Sequence, residues 1–162
     1  MSGLKTLFRT ALTDTWVVDS NGVNPGDNAG DIRWENNKAY KCVIYDEGAE
    51  TLDVVANDVV YYDGIAGVTN NRVTADISDT QDIGAGIIMA TITVTTTFCW
   101  VHIKGGEVTL NTTLTVATTD GDSLTARGAN NKTLDLPTAV DDPICAYCID
   151  DSTDLILPDF PF

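Results

Sequence analysis

From residue 87 to residue 116, apolar and polar positions alternate along the chain. Ile88, Ala90, Ile92 and Val94 fall on every second residue, with Thr91, Thr93 and Thr95 between them. That is the period of a half-buried strand; a helix would scatter the threonines around its circumference. The parity changes after Thr96 and Thr97. Cys99, Val101 and Ile103 then share one face and Trp100, His102 and Lys104 the other, until Gly105-Gly106 offers the positive φ angles of a tight turn. Val108, Leu110, Leu114 and Val116 next alternate with Thr109, Asn111, Thr113 and Thr115. The pattern predicts two amphipathic strands joined as a hairpin through the glycines, with a solvent face of threonine. Such a face suits contact rather than reaction.

The remaining pattern predicts an all-β protein, a small antiparallel barrel or sandwich with an extended N-terminal arm. Ile32-Arg33-Trp34, the Asn36-Asn37 turn, Lys38 to Tyr45 and Asp58 to Tyr62 are rich in aromatic and β-branched residues between Asn, Asp and Gly punctuation. Ala49 to Ala56 suits either a short helix or an irregular connection. Turn signals recur at Asn70-Asn71, Gly105-Gly106, Asp120-Gly121, Asn130-Asn131 and Asp141-Asp142-Pro143. The expected organisation is an arm over residues 1–30 and a β-domain over 31–162, in which 31–64 form a strand pair and 65–162 a meander or barrel.

Within the arm, Leu4, Leu7, Phe8 and Leu12 are spaced for a short amphipathic helix, too short to persist alone. Lys5 and Arg9 give the segment a basic bias, and Trp16-Val17-Val18 is followed by Asn/Gly/Pro-rich sequence. Two readings stand: an arm that orders on a partner, or a frayed terminus.

Composition narrows the function classes. A chain of 162 residues with 43% hydrophobic residues fits one folded domain. Its 24 acidic against 9 basic residues, a formal charge of -15, argue against nucleic-acid binding, which needs Lys and Arg to displace counterions from phosphates. No stretch approaches the roughly 20 apolar residues of a membrane span, and no signal-like apolar region opens the chain. Synthesis in the cytoplasm and no membrane partner are the expectations.

Candidate chemistry is sparse. Cys42, Cys99, Cys145 and Cys148 include a Cys-x-x-Cys pair, but Ile144 to Ile149 reads as an apolar strand, in which residues three apart point to opposite faces. Small buried hydrophobes are the expectation for all four, not a zinc site. His102 is the only histidine, and no nucleophile motif accompanies it, so a partly exposed strand histidine beside Trp100 is expected. Asp76, Asp79 and Asp82, or Asp150, Asp151 and Asp154, could supply oxygens to calcium. The Asp19 to Asp27 stretch has its glycine at the wrong offset for a calcium loop and no closing glutamate. Solvated loops explain these carboxylates, and the expectation is a non-enzymatic chain without metal or cofactor.

The order Gly30-Asp31-Ile32-Arg33-Trp34, Lys38-Ala39-Tyr40, Asp58-Val59-Val60-Tyr61, Ala85-Gly86-Ile87, Phe98-Cys99-Trp100-Val101-His102, Gly105-Gly106, Gly121-Asp122 and a terminal Asp159-Phe160-Pro161-Phe162 resembles the capsid decoration, or cement, proteins of tailed bacteriophages. The resemblance spans residues 30 to 162 and rests on aromatic and glycine punctuation. It implies a structural virion protein on the outer capsid surface that binds the major capsid protein and clamps neighbouring subunits. It also implies a homo-oligomer, a trimer being favoured. Lys5, Phe8, Arg9, Trp16, Phe160 and Phe162 are then the candidate contacts to the shell or to another copy, although for Phe160 and Phe162 closing the domain's own core is the favoured alternative. Trp34, Tyr40 and Trp100 are expected in the core, with Gly105, Gly106 and Gly121 in turns. The alternative is a carbohydrate-binding or host-adhesion module, in which Trp16, Trp34, Trp100, Tyr61 and Tyr62 would form a sugar platform.

Overall fold

The structure, a computed structural model, describes residues 8–80, 82–114 and 118–161. The described residues form ten strands and one α-helix: β1 (Ile32–Glu35), β2 (Lys38–Tyr45), β3 (Val59–Tyr62), α1 (Gly64–Asn70), β4 (Arg72–Thr74), β5 (Gly84–Ile88), β6 (Thr97–Lys104), β7 (Val108–Thr109), β8 (Ser123–Thr125), β9 (Ile144–Asp150) and β10 (Leu155–Pro158). The fold is nearly all β, as the alternation predicts.

Strands β1 to β6 make one sheet in the order β1-β2-β4-β3-β5-β6, and β6 returns to pair with β2. That pairing closes β2 to β6 into a five-stranded barrel with β1 hung on the flank of β2. The β2–β4 pair is parallel and the other pairs are antiparallel. Asn36 and Asn37, with φ of 51° and 63°, form the two-residue turn of the β1–β2 hairpin, a conformation that asparagine tolerates and that matches strand twist.

Both faces of β2 and β6 are covered. Ala39, Val43, Tyr45, Cys99, Val101 and Ile103 fill the barrel, while Tyr40, Cys42, Phe98 and Trp100 lie beneath the N-terminal segment in a second cluster with Trp16. A second sheet, in the order β7-β10-β9-β8, packs Cys145, Ala146, Cys148, Leu124 and Ile156 into the same core as the barrel interior.

The expected hairpin across Gly105-Gly106 does not form. The two glycines adopt φ of 73° and 67°, but β6 pairs with β2 and β5, and β7 pairs with β10. The turn passes the chain from the barrel to the second sheet. The threonine-rich run at residues 89–96 is not a strand either; its one ladder contact is the bridge between Ile92 and Val54. Residues 115–117 of the expected second strand lie outside the described residues. The barrel also runs across the boundary expected at 64/65, because β2 and β3 precede it and β4 to β6 follow.

Candidate binding surface

The segment from Phe8 to Gly30 forms no helix among the described residues and crosses the outside of the barrel. Phe8 sits edge-on to Trp100 at 5.5 Å, with the Arg33 guanidinium 5.3 Å from the Phe8 ring. Asp27 holds the segment: its carboxylate accepts from the Arg9 and Thr10 N–H groups, each at 3.0 Å, and from the Thr10 hydroxyl at 2.5 Å. Burial pushes the Asp27 carboxyl up, but these hydrogen bonds outweigh it and hold the group below the ordinary carboxylate range. Trp16 stacks on Phe98 at 5.9 Å, exchanges backbone hydrogen bonds with it, and donates its indole N–H to Asn24.

Two expected contact residues are therefore consumed by the domain itself. Trp16 is buried against Phe98, and Phe160 is buried beside Gly84 and Cys145. Phe8 and Arg9 are engaged through Trp100, Arg33 and Asp27, while Lys5 and Phe162 lie outside the described residues. Tyr40 and Trp100 are buried as expected, and Gly121, at φ 94°, is a turn residue.

Trp34 was expected in the core and is not there. It is 62% exposed and Ile32 is 40% exposed, because both lie on the same side of β1, which pairs with β2 alone. Arg33 and Glu35 point the other way and pair with each other at 2.6 Å. The outer edge of β1 has no strand partner among the described residues, so a large indole and an unpaired backbone edge coincide. Sequence reasoning missed this because aromatic residues in a strand ordinarily mark a packed face.

The titratable groups mostly serve structure. His102 is buried, not partly exposed: its ring lies 5.0 Å from Tyr40 and its Nε2–H donates to the Gly105 carbonyl at 2.5 Å. Burial lowers its pKa, and Lys38 adds to the effect, against the raising influence of the Gly105 and Lys104 carbonyls. All four cysteines are buried thiols. Cys145 packs toward Gly84 and Cys148 meets Thr118 at 3.6 Å, and both belong to the core shared with the barrel; burial pushes the Cys42 thiol up to about 12.

Acidic groups gather differently from the expected sets. Asp120, Asp150 and Asp151 bring carboxylate oxygens within 4.8 Å of one another, while Asp154 turns away to accept from the Leu114 N–H. Asp120 accepts from the Asp151 N–H and Asp150 from Ser152. Asp76 caps a turn at Ser78 and accepts from the Glu50 N–H. Buried Asp58, which the pattern did not single out, takes hydrogen bonds from Asn111 and Thr112 and ties the 111–112 segment to the barrel.

Two open hollows lie on the surface of the described residues. One, of about 350 Å³, is polar and lined by Thr80, Asp82, Arg127 and Pro143, with Arg127 held by Asp142 at 2.8 Å. The other, of about 160 Å³, is apolar and lies beside Tyr147 and Leu157. No protein-family model, no curated protein and no solved structure matches the chain.

Proposed function

We propose that the protein is a structural virion component that binds the outer surface of a tailed-bacteriophage capsid and stabilises contacts between major capsid protein subunits, acting as a small homo-oligomer. The resemblance read from the sequence brings the capsid into this proposal. One observation carries the contact chemistry: Trp34, with Ile32 beside it, is exposed on the open edge of β1. Exposed indoles concentrate interface energy, and an unpaired strand edge can add a strand from a partner. The charge of -15 suits a surface turned away from packaged DNA. The five residues of the sugar-platform alternative leave only Trp34 exposed, since Trp16, Trp100, Tyr61 and Tyr62 are buried.

Co-sedimentation with expanded capsids that lack the protein tests the reading. Saturable binding is expected, weakened at least about tenfold by Trp34→Ser, which corresponds to roughly 1.4 kcal/mol. Absence of binding to any capsid form removes the proposal, and binding to a glycan array that Trp34→Ser abolishes would replace it with the adhesion reading.

A further inference from the structure

The outer face of the second sheet is apolar in a region of high negative charge. Tyr147 is 40% and Ile149 36% exposed on the same side of β9. Leu157 of β10 stands opposite Tyr147 in the register. Tyr147 and Leu157, with Lys104, Gly105, Pro158 and Asp159, line the apolar hollow of about 160 Å³. Lys104 and Asp159 neutralise each other at its rim, 2.6 Å apart. The hollow therefore offers an uncharged seat on the scale of one large side chain.

Beyond Ile149 the chain enters the carboxylate group of Asp150, Asp151 and Asp120. Among the described residues no ion pair links these three to a cation. Residues 105–162 carry ten Asp or Glu against two Lys or Arg, a net -8 out of the chain's -15. A second copy of the chain would bring like charge against this face, and so would an anionic lipid surface or a nucleic acid. The charge selects a cationic protein.

We propose that this face docks an extended, cationic protein segment, which seats one apolar side chain in the hollow between Tyr147 and Leu157 and places a Lys or Arg at Asp120, Asp150 and Asp151. Asp150, the last residue of β9, lies three strand residues beyond Tyr147, about 10 Å at the rise of an extended chain, and Asp151 follows it in a short turn. Side chains on one face of such a chain recur every second residue, so the cation belongs two or four positions from the apolar anchor. This surface is distinct from the Trp34 edge, and the inference does not depend on the partner being a capsid subunit.

The test is an amide-resolved NMR titration of the whole protein with acetyl-Leu-Ser-Lys-Ser-Arg-amide. Saturable shifts are expected at Gly105, Tyr147, Leu157 and Asp150, with apparent affinity falling at least about fivefold between 20 and 300 mM salt as the charges are screened. Replacing the leucine by alanine, or both cations by glutamate, should abolish the response. Tyr147→Ser should abolish it too while leaving the remaining spectrum in place, since Tyr147 supports little of the core. Shifts confined to another surface, an equal response to the glutamate peptide, or no response overturns the proposal. The probe is a peptide, so failure here leaves the capsid reading standing, and failure of shell binding leaves this one standing.

Discussion

The indole N–H of Trp100 donates to the Thr10 hydroxyl at 2.9 Å across ninety positions of sequence, and that hydroxyl donates onward to Asp27. One side-chain relay thus pins the N-terminal segment to the outside of β6. The segment completes the cover of Trp100 and Phe98, so it contributes packing as well as polar contacts.

Asp27→Ala should loosen this segment before the barrel. It leaves the part-buried Arg9 and Thr10 N–H groups without their acceptor, at a cost of about 0.5–1.5 kcal/mol because water can reach them. Urea denaturation should show that loss, and tryptophan emission should shift red in the native baseline as Trp16 and Trp100 meet water, with far-UV circular dichroism retained. Unchanged emission and an unchanged midpoint would mean that the relay does not hold the segment.

Stability should fall in two steps as pH is lowered. His102, the only histidine, has a folded pKa lowered by burial, so the unfolded chain protonates first, near pH 6.5. Stability is complete above that value and declines as pH falls through the folded pKa. Asp27, Asp46 and Asp76 are each desolvated, yet hydrogen bonds hold all three below the ordinary range. Their contribution is present above about pH 4 and is lost below it. Urea unfolding at pH 7.5, 5.5 and 3.5 measures both steps. His102→Gln should flatten the first and leave the second; a wild-type protein equally stable at 7.5 and 5.5 removes the histidine from the account.

The all-β class was legible because period-two alternation survives wherever one face is wet, and the Asn36-Asn37 hairpin because its turn residues state their own geometry. The pairing of β6 was not. With Trp100 and Val101 both fully buried, the alternation assigns side chains to faces but does not say which strands lie beside them. Local signals then favoured the adjacent segment over β2, more than fifty residues earlier. Trp34 failed for the converse reason: its identity suggests burial, but exposure depends on whether another strand flanks β1, which is a property of topology. The Tyr147–Leu157 hollow was illegible for the same reason, since it joins β9 and β10 to the Gly105 turn.

Gly84 and Phe160 offer the sharpest test of how the C-terminal segment is used. A Cβ at Gly84 would lie 2.8 Å from Cys145 Sγ and 2.9 Å from the Phe160 ring, closer than side chains tolerate. Gly84→Ala should therefore cost about 1–3 kcal/mol through overpacking. Phe160→Ala removes a buried ring and should cost about 3–5 kcal/mol. In the double variant the new methyl enters space the ring has vacated, so the combined loss should fall short of the sum by about 0.5 kcal/mol or more, measured as a coupling energy in urea. Strict additivity would separate the two sites. A Phe160→Ala protein of unchanged stability would free the ring from the core and return it to the surface as a candidate contact.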